Sequence, residues 1–213
     1  MSINDQVIIT GRSGPANVPE GGSDVIRLTR CGGVLTQGAG PYYYEPSRLG
    51  RIFTASNAVA GVAPGTALST TPPICIWNPL GSGINLSILK ASLGYVSGTL
   101  GAGSIVFAYN PGQTIAPTTG TELIPVNNLI GQARGTGRAF TGSTIGAAGL
   151  IIRPFCFLGA ALATTVNFPA SVTELVDGEF TVGPGMCFIM QGVTAAGSTP
   201  LVIFGISWQE IPQ

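Results

Sequence analysis

Three carboxylates, Glu174, Asp177 and Glu179, form the one dense acidic cluster of the sequence. Two carboxylates are enough for glycoside hydrolysis, and three can hold a calcium ion. The spacing of an EF-hand loop is missing, however, and Asp177-Gly178 is a typical turn pair. A solvated hairpin turn is therefore the favoured interpretation of this cluster, and a carboxylate-based hydrolase stays open as an alternative.

Other catalytic chemistry needs residue types that this chain lacks or spaces differently. The 213 residues include no histidine, the commonest metal ligand and a frequent general base. Cys31, Cys75, Cys156 and Cys187 do not have zinc-site spacing, and the last three lie in apolar runs typical of small buried hydrophobes. The glycine-rich segment 131–149 lacks a phosphate-binding pattern and predicts a long mobile loop. We therefore predict no enzyme, and no catalytic, metal-binding or cofactor-binding residue.

Charged side chains are unusually scarce. Nine basic and nine acidic residues make up 8% of the chain, against an average of about 25%, and Lys90 is the one charge between residues 57 and 120. The zero net charge argues against a nucleic-acid partner. Arg153 interrupts the long apolar segment 146–168, which argues against a membrane span, and the N-terminus lacks a secretory pattern. Because soluble surfaces normally carry many charges, this composition predicts that much of the surface faces other protein chains.

From Leu49 onward, short apolar runs alternate with Gly- and Pro-rich turns, a pattern typical of β-strands. The predicted strands are Gly50–Ser56, Ala67–Ser69, Ile74–Asn78, Asn85–Val96, Ser104–Asn110, Thr121–Ile124, Leu150–Leu158, Glu179–Val182, Met186–Val193 and Leu201–Glu210. One short helix is predicted at Ser171–Val176, because Ser171 and Glu174 have capping-box spacing. Ten strands with hardly any helix predict an all-β fold, an antiparallel jelly roll or β-sandwich, over residues 48–213.

Residues 1–47 differ from this body, because turn formers interrupt them and only Gln6–Thr10 and Asp24–Thr29 look strand-like. We predict an extended N-terminal arm that lies on a neighbouring molecule; a loosely packed start of the same domain is the alternative. The predicted contact residues of the arm are Val7, Ile9, Ile26, Leu28, Tyr42, Tyr43 and Tyr44.

Two C-terminal strands, Met186–Val193 and Leu201–Glu210, are apolar on both faces. A sandwich shelters only one face of a strand against the partner sheet, and apart from one short helix the sequence predicts no helices to cover the other. A second copy of the chain is the simplest cover, and a trimer is predicted. The predicted oligomer interface consists of Met186, Phe188, Met190, Val202, Phe204, Ile206 and Trp208.

Several stretches of the body resemble virion structural proteins of tailed bacteriophages. They are the opening Gly50–Ser56, the Trp77-Asn78-Pro79 turn before the long strand Asn85–Val96, and the closing segments Asp177–Val193 and Leu201–Pro212. The C-terminal hairpin also resembles the end of tumour-necrosis-factor-like trimeric jelly rolls, in architecture only.

The resemblance implies a jelly-roll capsid decoration (cement) protein, usually trimeric, that stabilises the lattice of the major capsid protein on the capsid exterior after assembly in the host cytoplasm. Residues 1–47 would then be the arm that helps to hold the capsid. The first alternative is a tail- or fibre-associated virion protein that binds a host glycan through Tyr42–Tyr44 or Trp77. The second alternative is a secreted lectin-like trimer.

Overall fold

The computed structural model describes residues 41–158, 171–194 and 197–213. The chain divides into two units, Met1–Tyr44 and Glu45–Gln213, and only the last four residues of the first unit are described. The described residues form one helix, α1 (Tyr44–Arg48), and twelve strands. The strands are β1 (Ile52–Ser56), β2 (Ile74–Asn78), β3 (Ile84–Ser97), β4 (Gly103–Asn110), β5 (Thr121–Leu123), β6 (Val126–Asn127), β7 (Arg138–Thr141), β8 (Leu150–Leu158), β9 (Ser171–Leu175), β10 (Thr181–Val182), β11 (Met186–Thr194) and β12 (Leu201–Pro212).

The strands form two antiparallel sheets. In sheet one the order is β10-β3-β12-β1-β6, and β9 also pairs with β3. In sheet two the order is β5-β7-β2-β11-β4-β8. The two sheets pack face to face, which confirms the predicted all-β sandwich.

The main core lies between the two sheets. Strand β2 is buried along its whole length, and β12 pairs with β3 from Leu201 to Pro212. Alternate side chains of these strands and of β4 point inward, so that Ile76, Phe107 and Trp208 join one continuous apolar cluster. Each fully buried large side chain of this kind contributes about 2–3 kcal/mol of transfer free energy.

This core corrects the predicted oligomer interface. Phe188, Met190, Val202, Phe204, Ile206 and Trp208 are all at most 1% exposed and belong to the inter-sheet core of their own chain. A side chain without accessible surface cannot contact another molecule, so the prediction is wrong for these six residues. Only Met186, at 39% exposed, is available to a partner.

The outer face of sheet two is covered by loops of the same chain. Cys187 and Ile189 on β11 pack there with Trp77, Phe140 and other buried residues in a second, smaller cluster. We call this cluster, whose buried members are Cys75, Trp77, Ala108, Phe140, Ile145, Cys187 and Ile189, the outer core. It explains why β11 is apolar on both faces, and a second molecule is not needed to shelter it.

Gln191 and Gly192 on β11 hold one of these loops, the segment between β1 and β2. We call it the loop over the outer core. The Gln191 side chain is 2% exposed, and its Nε2 donates to the Ala67 carbonyl (2.7 Å) and to Ser69 Oγ (3.0 Å). The Gly192 amide donates to the carbonyl of Pro64 (2.6 Å). A Cβ at position 192 would lie 2.5 Å from the Gly65 carbonyl oxygen, so the close approach of the loop requires glycine.

Three local predictions are wrong. Ser171–Val176 does not form a helix, because Ser171–Leu175 pairs with β3 as the edge strand β9, and tertiary pairing outweighs the capping signal. Ala67–Ser69 is not a strand but part of the loop over the outer core. The glycine-rich segment 131–149 is not a continuous loop, since β7 lies within it and pairs with β2 and β5.

Strand β8 is the last strand of sheet two on one side, and its pairing with β4 is irregular. The register shifts twice, between Ile105 and Val106 and between Phe107 and Ala108. Pro154 lies in the middle of the strand, opposite Val106, a position that proline tolerates in edge strands.

Candidate functional site: two ion-pair clusters and two apolar surfaces

The acidic cluster is held by one arginine at the edge where β8 of sheet two approaches β9 and β10 of sheet one. Arg153, on β8, pairs with Glu174 on β9 and with Glu179 in the turn before β10, the latter at 2.8 Å. The Arg153 guanidinium also lies 5.0 Å from the ring centre of Phe107 and 5.2 Å from that of Phe180. The hydrogen bonds that the Arg153 guanidinium donates to Glu174 and Glu179 raise the pKa of Arg153. The guanidinium thus joins the two sheets and covers an aromatic cluster.

This geometry bears on the calcium and hydrolase alternatives. Glu174 and Glu179 share a single guanidinium, because one oxygen of each carboxylate accepts a hydrogen bond from Arg153. Asp177 lies at the turn with a positive φ of 49°. In the described part of the chain, no group of three or more His, Cys, Asp or Glu residues is arranged to hold a metal ion.

A second ion-pair cluster lies at the opposite edge of sheet two. Arg138 on β7 makes a two-pronged contact with Glu122 on β5, at 2.8 and 2.6 Å, and Arg134 lies 3.7 Å from the same carboxylate. The Arg138 guanidinium lies 5.5 Å from the Trp77 ring centre and 5.0 Å from that of Phe140. The hydrogen bond from Arg138 lowers the pKa of Glu122. Each edge is therefore closed by an arginine lying over aromatic rings.

The three cysteines in the described part of the chain do not form a nucleophilic site. Cys75 and Cys187 are buried in the outer core, as predicted. Burial raises the pKa of Cys187 well above its usual value, and burial raises the pKa of the half-buried Cys156 to about 11. Since the thiolate is the reactive form, these thiols are unreactive near neutral pH. Cys31 lies outside the described residues.

Two exposed apolar surfaces lie at opposite edges of the sandwich. The β8 surface is formed by Leu150, Ile151, Ile152, Phe157 and, on β9, Leu175, which are 37–71% exposed. The β6 surface is formed by Leu49, Ile124, Val126, Leu129 and Ile130. Ile124 and Ile130 protrude furthest, at 75% and 88% exposed.

An apolar groove of about 280 Å³ adjoins the β8 surface. Its lining residues come from β4, β8, β10, β11 and the turn before β10: Tyr109, Ile152, Glu179, Phe180, Thr181, Val182, Met186, Cys187 and Phe188. A larger cavity of about 520 Å³ lies beside the loop over the outer core, and no ionisable side chain is among its lining residues. The groove is therefore the more selective feature, because one carboxylate faces an otherwise apolar concavity.

The residues predicted for the arm are only partly described. Tyr42 is 81% and Tyr44 is 50% exposed, and Tyr42 packs edge-to-face on Tyr43. Val7, Ile9, Ile26 and Leu28 lie outside the described residues. Trp77 is buried, and its Nε1 donates to the Gln113 carbonyl at 2.7 Å. The part of the glycan alternative that relies on an exposed Trp77 is therefore wrong.

The sequence analysis did not assign either apolar surface to an interface. The available signals were the run Leu150-Ile151-Ile152, directly before Arg153, and the segment 124–130, in which four of seven residues are large and apolar. Neither run shows the alternation of apolar and polar residues that marks a half-exposed strand, because β8 is irregular and most of segment 124–130 is not strand.

Comparisons with known proteins identify no relative: no family model, no curated protein and no solved structure matches the chain. Among the described residues, no helix has the length and apolar character needed to span a bilayer.

Proposed function

We propose that this chain is a non-enzymatic structural protein of a bacteriophage particle, a capsid decoration (cement) protein that acts as a homo-oligomer, with a trimer as the expected state. The observation that carries this proposal is the pair of exposed apolar surfaces at opposite edges of the sandwich. Large exposed apolar patches mark sites of association with other proteins, and each of these surfaces concentrates exposed apolar side chains at one edge of the sandwich. The resemblance of the body to virion structural proteins supports the choice of a capsid as the assembly.

The scarcity of charge fits such a role. A decoration protein adds buried area across subunit junctions, and each square ångström of apolar surface contributes about 25 cal/mol before ordering costs. Contacts of this type depend little on salt, whereas contacts between exposed charges are screened. The carboxylates that a hydrolase would use, Glu174 and Glu179, are bound to Arg153 instead.

The test uses particles of the phage that encodes the chain. We expect a copy number in simple proportion to that of the major capsid protein, measured by quantitative mass spectrometry, and retention of the chain after washing in about 1 M salt. A few copies per particle would instead indicate the tail- or fibre-associated alternative. Release at high salt, or absence of the chain from purified particles, would contradict the proposal.

A further inference from the structure

The two apolar surfaces differ in shape. On the β6 surface, Ile130 and Ile124 are 88% and 75% exposed, in the segments on either side of β6. The β8 surface is concave where the groove opens beside Ile152 and Met186. A protruding isoleucine and an apolar groove are complementary, and neither shape is complementary to itself.

The strand order places these surfaces on opposite edges of one molecule. Strand β8 ends sheet two on the side where Arg153 contacts Glu174 of β9. Strand β6 ends sheet one on the other side, and the loop after it leads to β7, where Gly137 donates to Glu210 at 2.7 Å. A protrusion and a groove at opposite edges cannot pair through a two-fold axis. They pair head to tail, and such contacts close into a ring when the rotation between successive copies permits and otherwise continue as an open filament.

The two surfaces also differ in the sign of their net charge. Around the β8 surface the charged side chains are Lys90, Arg153, Glu174, Asp177 and Glu179, with one more acidic than basic group. Around the β6 surface they are Glu45, Arg48, Arg51, Glu122, Arg134, Arg138 and Glu210, with one more basic than acidic group. Opposite signs at the two edges favour edge-to-edge contact between copies and disfavour contact between like edges.

We infer that a second copy of this chain occupies the groove: Ile130 of one molecule inserts beside Ile152 of the next, and Arg134 approaches Glu179 at the rim. Repetition of this contact, with the rotation between copies that the proposed trimer requires, produces a closed ring. The inference rests on the proposed function, for which it supplies the interface of the homo-oligomer. It also replaces the core residues that sequence reasoning assigned to that interface.

The test uses two full-length variants with a change at one surface each, and sedimentation velocity across a dilution series. Ile130→Glu removes the protrusion, and Ile152→Lys places a charge in the groove near Glu179. We expect wild type to be a closed oligomer and each variant to be a monomer. An equimolar mixture of the two variants should form a one-to-one dimer, because the groove of the first and the Ile130 of the second are both intact. The control is Val59→Glu, which changes a side chain that is 86% exposed in the turn after β1 and should leave the oligomer intact.

Each outcome is decisive. If both variants remain oligomeric, the ring interface is wrong while the proposed function stands. If only Ile130→Glu dissociates, the contact is two-fold through the β6 surface and the head-to-tail inference fails. If wild type is a monomer at every concentration, the ring and the oligomeric cement function fail together. Circular dichroism checks folding, and Thr181→Trp, which fills the groove from an exposed lining position, replaces Ile152→Lys if that variant unfolds.

Discussion

The loop over the outer core offers a direct measurement of local stability through Gln191. Replacing Gln191 with Met keeps the length of the side chain but removes the donor to Ala67 and Ser69 Oγ, together with the oxygen that accepts from the Ser69 amide at 3.4 Å. The two shorter hydrogen bonds, at about 0.5–1.5 kcal/mol each, give a loss of about 1–3 kcal/mol. We expect this loss of free energy to favour the open state of the loop over the closed state, because the hydrogen-bond partners of Gln191 belong to the loop.

The thiols beneath the loop report this equilibrium. Cys75 and Cys187 are at most 1% exposed in the outer core, so a thiol reagent reaches them only after the loop opens. In a Cys31→Ser, Cys156→Ser background, Gln191→Met should raise their labelling rate by about 5- to 150-fold, which is the same free-energy loss expressed as a ratio.

The matched control is Gln132→Met, at an exposed position, which should label at the wild-type rate. An unchanged labelling rate for Gln191→Met, with the fold intact by circular dichroism, would show that Gln191 does not hold the loop. Equal acceleration in the control would show that the reagent enters by another route.

Two further changes test the close approach of the loop and the Glu122 ion pair. Gly192→Ala should lower the free energy of unfolding in urea by about 1–3 kcal/mol, because its Cβ meets the backbone at 2.5 Å. The control is Gly94→Ala, whose Cβ lies 3.9 Å from its nearest neighbour. Equal unfolding midpoints for the two variants would contradict the reasoning. Because Arg138 lowers the pKa of Glu122 from its usual value near 4.5, the pair stabilises the fold above that pH, and this stabilisation is lost as the pH falls through the lowered value. Wild type should therefore melt above Glu122→Gln at neutral pH, with the gap closing in acid, whereas a gap that is constant with pH would exclude this ion pair as its cause.

The sequence predicted the strands most reliably where turn chemistry brackets an apolar run. Ile74–Asn78 and Leu150–Leu158 have the predicted bounds, and β3, β4, β11 and β12 differ by one or two residues at their ends. Gly and Pro end such strands locally, so the residues next to a strand are enough to predict where it begins and ends. Ser171–Leu175 failed because its state depends on pairing with β3, which lies far away in the sequence.

The interface prediction failed for a physical reason that the sequence does not contain. The apolar pattern of Met186–Thr194 correctly showed that both faces of β11 are buried, but not what buries the second face. Loops with polar and glycine-rich composition cover it, held by backbone contacts such as that of Gly192 with Pro64. Amino-acid composition does not predict that such loops bury the outer face of β11, because the loop contributes few large apolar side chains of its own.

Strand β8 combines exposed apolar side chains with a backbone poorly suited to extending the sheet. Pro154 has no amide hydrogen to donate, and the two register shifts twist the strand away from a flat ladder. A stray β-strand therefore finds no regular template along this edge, and unlimited fibrous stacking is discouraged. The apolar edge formed by β8 can thus bind a partner through its side chains without acting as a template for amyloid growth.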